Sequence, residues 1–206
     1  MSDNRSTPMV DLILASASPR RAKFLQQFGI SFSIVPAEVD ESVTPAESPN
    51  GYVRRIALDK AETVSVRCTR SIPVLAADTV VAIDDIILGK PSGIEDAKQM
   101  LARLSGRWHE VYSGVAIMHR TATVISVRTR VKFRTIAARE VDRYWASGEP
   151  HDKAGGYGIQ GIGGAFVERI EGSYSNVVGL PLTESLALLS EYKVRHIFQA
   201  NISPNE

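Results

Sequence analysis

The chain has 206 residues, 44% of them hydrophobic, and a net charge of +1 from 24 basic and 23 acidic side chains. That length supports one well-cored α/β domain or one domain with a small lobe, and so even a charge balance excludes a general nucleic-acid binder. One cysteine, Cys68, excludes a disulfide framework and a Cys-based zinc site and points to a reducing, cytoplasmic setting, while no apolar run approaches the ~20 residues a membrane span needs.

Residues 1–10 are polar and lack an apolar signal core, so they read as a loose leader before a single domain over 11–206. Residues 12–15 (LILA) form a buried strand that enters a small-residue turn and then a helix. Ser18 is placed as its N-cap, Pro19 as its first residue and Gly29 as its stop, with Ala22, Phe24, Leu25 and Phe28 on the apolar face. Residues 32–35 form a short strand ending in an acidic turn at 36–41. Ser48-Pro49 opens a second helix that carries Lys60. Residues 72–77 read as a buried strand that Asp78 ends, with 79–83 still extended. Asp84-Asp85 is a tight turn, 86–88 is the returning hairpin arm, and Gly89-Lys90-Pro91 closes it. A helix follows over 94–104, then two long β segments near 110–118 and 123–133. The second alternates Val124, Ser126, Arg128 and Arg130, which suits a half-exposed antiparallel strand. A short helix spans 140–147, a strand 165–170, and a loop 173–182. Thr183 is placed as the cap of a last helix through Tyr192, and 196–199 as a final strand.

Three stretches carry the chemistry. Arg20 and Arg21 occupy the first turn of a helix, where each cation costs roughly 0.3–1 kcal/mol against the helix dipole. With the turn amides and the Ser16 and Ser18 hydroxyls, they point to a bound anion, most often phosphate. Asp78 follows Val74-Leu75-Ala76-Ala77, and a carboxylate at a strand end of an open sheet lies where such folds place ligands. Beside a phosphate it implies a divalent metal, and it suits the deprotonation of a water. Glu38 is the natural second acid; Asp40 and Glu41 read as surface residues. Lys60, Lys90 and Lys153 are candidates to neutralise a polyphosphate. In 149–164 (EPHDKAGGYGIQGIGG), six glycines in ten residues require the backbone to pass close to another group. The G-x-G-x-x-G match at 156–161 follows a charged loop and precedes a strand, so it is not a dinucleotide fingerprint, and no P-loop or His-Glu-x-x-His occurs. His109 and His151 read as structural or solvated. These residues describe a phosphate-handling, metal-dependent α/β protein and leave the reaction open.

Taken together, Ser16-Ala17-Ser18-Pro19-Arg20-Arg21, Ala77-Asp78-Thr79, Gly89-Lys90-Pro91 and Lys153-Ala154-Gly155-Gly156-Tyr157-Gly158-Ile159-Gln160-Gly161 resemble the Maf family in register from Leu12 to about Leu182. The resemblance implies an elongated mixed sheet flanked by helices, similar to inosine triphosphatase. It implies cleavage of a nucleoside triphosphate to monophosphate and pyrophosphate with Mg²⁺ or Mn²⁺ and, in the family, a homodimer. It assigns Asp78 as base, Glu38 as second acid, both as metal ligands, and Ser16, Arg20, Lys60 and Lys90 to phosphate. Arg21, Thr79 and Gln160 match the branch acting on dTTP and UTP, against a second branch acting on 7-methyl-GTP. An amide both donates and accepts, so Gln160 suits the O4/N3–H edge of thymine or uracil. A protein that senses nucleotide without turnover, in division control, is the alternative of another class.

Overall fold

Alternation along the longest buried strand decides how the sheet is covered. In the strand Val74–Ile83 (β3), Leu75, Ala77, Val81 and Ile83 face one side, and Val74, Ala76 and Val80 face the other. Both faces are apolar, so both must carry helices. The computed structural model describes residues 10–68 and 72–199, so the expected leader lies almost wholly outside the described residues. The other strands are Leu12–Leu14 (β1), Phe32–Ile34 (β2), Ile86–Leu88 (β4), Trp108–Met118 (β5), Ala122–Phe133 (β6) and Val167–Glu171 (β7). They form one seven-stranded sheet in the order β2-β1-β3-β5-β6-β7, with β4 pairing β3. β2, β1 and β3 are parallel and the remaining pairings antiparallel, which makes the sheet mixed as expected. The Asp84-Asp85 turn joins β3 to β4 with φ values of 52° and 60°, the left-handed pair that a two-residue hairpin needs.

The helices are Pro19–Gln27 (α1), Pro49–Arg67 (α2), Ile94–Leu104 (α3), Ala138–Ala146 (α4), Tyr174–Val178 (α5) and Leu182–Glu191 (α6). α1 and α6 cover the face that carries Leu75 and Ala77, through Leu25, Leu188 and Leu189. α3 and α4 continue that face at the other end, over Val81, Val111 and Phe133. α2 covers the opposite face, with Ala57, Ala61 and Val64 on Val74 and Ala76. Gly114 of β5 lets it approach: a Cβ there would collide with the Val53 carbonyl.

Several expected boundaries differ. Ser18 holds the N-cap position of α1, yet its side chain makes no cap bond; its own N–H donates to Ser16 Oγ at 3.2 Å. Within the expected loop 173–182 sits α5, capped by the Ser173 hydroxyl, which accepts from Asn176 N–H at 3.3 Å. α6 starts at Leu182 behind Pro181, so Thr183 is inside its first turn. The last expected strand is a 3₁₀ turn, Ile197–Gln199: among the described residues no strand pairs with it, and Ile197 N–H donates instead to Phe28 O at 3.0 Å.

His109 is a structural histidine, as expected. Its ring is 2% exposed, packs edge-on against Phe133, and shares a 2.8 Å hydrogen bond between Nε2 and the Tyr157 hydroxyl. Burial pushes its pKa down to about 3. The folded state therefore binds this proton far more weakly than the unfolded chain. Below pH ~6.5 only the unfolded chain takes it up, and stability falls with pH by about 1.4 kcal/mol per unit until pH nears 3. Urea unfolding of wild type and His109→Asn at pH 7, 6, 5 and 4 checks this; the variant is expected to lose that part of the slope.

Candidate active site

β1 ends early. Leu14 pairs Leu75 and Ala15 N–H donates to Leu75 O, while β4 starts its pairing only at Val81. Between them the edge of β3 is left as a notch around Asp78 and Thr79. Asp78 is therefore inside a ten-residue strand and does not terminate one, as the sequence suggested; it pairs Gly114 of β5 on its other side. Successive residues of a strand point to opposite faces, so Asp78 turns toward α2 and Thr79 toward α1. A cleft of about 920 Å³ wraps around the notch and is lined from both faces. That volume is within the usual range for small-molecule sites.

On the α2 side, Lys60 Nζ donates to Asp78 Oδ1 at 2.8 Å and lies 2.6 Å from Glu41 Oε1. The Lys60 and Asp78 side chains are 11% and 12% exposed, Glu41 49%. Burial raises the Glu41 pKa, but the Lys60 bond and the charges of Lys60, Lys90 and Arg21 outweigh it and hold this carboxyl below its ordinary value. Arg20 and Lys90 also line the cleft, and among the described residues neither is within ion-pair distance of a carboxylate.

On the α1 side, Arg21 is spread flat against the cleft wall. Its Nε donates to Gly179 O at 2.9 Å, Nη1 to Ser16 Oγ at 3.0 Å, and Nη2 to Thr79 Oγ1 at 3.2 Å. Thr79 Oγ1 shares a 2.8 Å bond with Ser113 Oγ, which donates to Asn176 O at 3.1 Å. Asn176 Nδ2 in turn donates to Val111 O and Thr129 Oγ1. All of these acceptors of Arg21 are neutral. Burial lowers its pKa from the ordinary value, with Asp78 opposing that shift. Ser18 leaves the first-turn amides of α1 uncapped, so N–H donors and guanidinium groups converge on one end of the cleft.

The third wall is the glycine stretch, folded as three 3₁₀ turns, Glu149–Asp152, Ala154–Gly156 and Ile162–Phe166. Gln160 stands on the turn between Gly158 and Gly161, exposed and facing the cleft. Lys153 lines the same wall and bonds to Asp152 and to Glu149 O.

The structure thus brings Ser16, Arg20, Arg21, Lys60, Asp78, Thr79, Lys90 and Gln160 to one cleft. It does not bring Glu38 there. Glu38 lines a separate depression beside Val39, Asp40 and Arg55, and the acid that shares Lys60 with Asp78 is Glu41, read from sequence as surface. The acidic turn carries Glu38, Asp40 and Glu41 close together, and only its docking against α2, through Tyr52 Oη donating to Glu41 O at 2.8 Å, decides which one turns in. Sequence reasoning also passed over Glu149 and Tyr144, whose bonds to the glycine stretch have no local signature. Among the described residues no cluster of three His, Cys, Asp or Glu is placed to hold a metal.

The profile of the family of Maf-like proteins matches residues 11–192. A dTTP/UTP pyrophosphatase of Hahella chejuensis is 50% identical over 187 residues, covering 89% of this chain and 93% of its own. One from Myxococcus xanthus is 52% identical over 178 residues, 86% and 90% of the two chains. Among solved structures, a nucleoside-triphosphatase (dITP/XTP pyrophosphatase) of Mycobacterium abscessus overlaps 89% of this chain and 94% of its own at 16% identity, with a TM-score of 0.43. So loose an overlap carries no weight beside the sheet order itself. A family match over nearly the whole described chain, with relatives at half identity across it, settles membership: this chain belongs to the Maf-like family.

Proposed function

We propose that the chain is a nucleoside triphosphate pyrophosphatase that hydrolyses dTTP and UTP, with related modified pyrimidine nucleotides, to the monophosphate and pyrophosphate. The observation that carries this reading is the single Lys60 ammonium holding Asp78 and Glu41 together opposite Arg20 and Lys90, which have no carboxylate partner among the described residues. The names of relatives at about 50% identity support the substrate class. The triphosphate lies along Arg20, Lys60 and Lys90 and the open amides of α1, with the Ser16 hydroxyl beside it. Arg21, Thr79 and Gln160 line the base end. Asp78 takes a proton from a water that attacks the α-phosphorus, and the pyrophosphate leaves with its charge offset by the cations.

A divalent cation, Mg²⁺ or Mn²⁺, fits this donor set. Two carboxylates that converge on one ammonium, with no third His, Cys, Asp or Glu grouped with them among the described residues, suit an ion that completes its shell with substrate phosphate oxygens. Asp78 and Glu41 would hold it, and it would supply Lewis-acid neutralisation of the phosphate charge. The same reading takes residues 11–206 as one domain of a cytoplasmic protein that acts as a homodimer, with the nucleotide and no nucleic-acid polymer or membrane as its partner. No helix among the described residues is long and apolar enough to cross a membrane.

The test is a panel of dTTP, UTP, CTP and 7-methyl-GTP with Mg²⁺ or Mn²⁺, followed by chromatography of monophosphate and pyrophosphate. Product from dTTP and UTP first is expected. Product from 7-methyl-GTP alone would move the chain to the other branch, and none from any nucleotide would favour a sensor. Asp78→Asn is expected to cut turnover of dTTP by about 10²–10⁴ if its carboxylate takes the proton; near-full activity would hand that role to Glu41. Glu41→Gln is expected to lower kcat roughly tenfold or more and raise the metal concentration needed, whereas Glu38→Gln stays within about twofold of wild type. Metal titrations of both variants side by side check the exchange of roles.

A further inference from the structure

Gln160 has no hydrogen-bond partner among the described residues, so nothing on its own side chain fixes where its amide points. The backbone on either side is pinned instead. Before it, Gly158 N–H donates to the Tyr144 hydroxyl at 3.0 Å; that hydroxyl donates onward to Glu149 Oε1 at 2.8 Å. After it, Ile162 N–H donates to Glu149 Oε2 at 2.7 Å and Gly163 N–H to Glu149 Oε1 at 2.9 Å. One carboxylate and one phenol therefore clamp both ends of the turn that carries Gln160.

The glycines are what let the clamp close. A Cβ on Gly161 would run into the Glu149 carboxylate, and one on Gly163 would stand 2.5 Å from the Tyr144 hydroxyl. The close approach that Gly158, Gly161 and Gly163 require is thus to Glu149 and Tyr144, whereas Gly155 passes close to Val81 and Gly164 to the Ile159 carbonyl. Both Glu149 oxygens are occupied by these donors, although the residue lines the cleft. Burial raises its pKa, but the Gly163 and Ile162 amides and the Tyr144 hydroxyl together hold it below the ordinary carboxylate value, so it stays ionised near neutral pH.

We infer that Glu149 and Tyr144 are positioning residues that set pyrimidine recognition by holding the Gln160 turn, and that neither takes part in the chemistry at phosphorus. The inference rests on the reading of Gln160 as the group facing the base. Thymine and uracil offer an acceptor at O4 and a donor at N3, and cytosine offers the reverse, so a swinging amide would lose the ability to tell them apart.

The experiment uses Glu149→Gln and Tyr144→Phe, both near-isosteric, in the full chain. Kinetics with dTTP and CTP are paired with calorimetry of two probes: α,β-imido dTTP, and tripolyphosphate, which has no base. Glu149→Gln puts an amide donor against either Ile162 N–H or the Tyr144–Gly163 pair, and Tyr144→Phe leaves Gly158 N–H without its acceptor. Each variant is expected to weaken binding of the dTTP analogue and raise KM for dTTP roughly tenfold, and to narrow the dTTP-over-CTP preference. Tripolyphosphate affinity is expected to stay within about twofold, and kcat within about threefold. In a Gln160→Ala background, Glu149→Gln is expected to add less than about twofold. Unchanged dTTP affinity, full additivity with Gln160→Ala, parallel loss of tripolyphosphate binding, or a fall in kcat at constant KM would each overturn the inference. A wild-type chain that binds the dTTP analogue but yields no pyrophosphate would instead sink the hydrolytic reading, while the binding arms still decide the role of the clamp.

Discussion

The Lys60 ammonium ties together the two carboxylates on which the cleft is built. Asp78 comes from the central strand and Glu41 from the acidic turn after β2, segments with no covalent reason to meet. Two like charges brought this close repel unless a cation lies between them, and the Lys60 side chain is as buried as that of Asp78. Breaking a buried pair typically costs 3–5 kcal/mol, because the remaining charge is left without compensation. The position of α2 over the sheet therefore sets the cleft as well as the core, and it depends on Gly114, where the Val53 carbonyl comes so close that a Cβ would collide with it.

The pleat then divides the labour. Asp78 and Thr79 are neighbours in sequence and face opposite sides of the sheet. They share one cleft because β1 stops after Leu14 and β4 begins opposite Val81. The interrupted edge exposes both faces at once. One face carries the carboxylates and Lys60. The other carries Arg21, held by neutral acceptors that trace back through Thr79, Ser113 and Asn176 into the core. A guanidinium whose donors are spent on dipoles keeps its net charge undiminished for a ligand.

The glycine stretch gives a different lesson. Its composition says that atoms must come close, and it does not say which. The spacing of Gly158, Gly161 and Gly163 is explained by a carboxylate and a phenol from α4 and the turn after it. Gln160 is thereby left at the tip, its side chain without a hydrogen bond among the described residues and its backbone supported at both ends.

Much of this was legible from local rules. Buried strands, Pro-led helices, the Asp84-Asp85 hairpin and the two arginines at a helix start all follow from steric and dipole effects acting within a few residues, and the spaced motifs identified the family. Where competing signals were local and equal, they failed: Glu38 and Glu41 are the same residue type three apart in one turn, and Thr183 and Pro181 both suit a helix start. Between the two acids the choice was made by contacts across the chain, namely the Tyr52 bond to Glu41 O and the Lys60 ammonium. Likewise the end of β1 at the notch, the strand that continues through Asp78, and the grip of Glu149 on the glycine turn are set by long-range pairing. The sequence by itself determined the elements, the family and the residue types of the site, because those depend on neighbours along the chain. Only the tertiary structure decided which acid turns inward and what holds the Gln160 turn, because those depend on atoms brought together from distant segments.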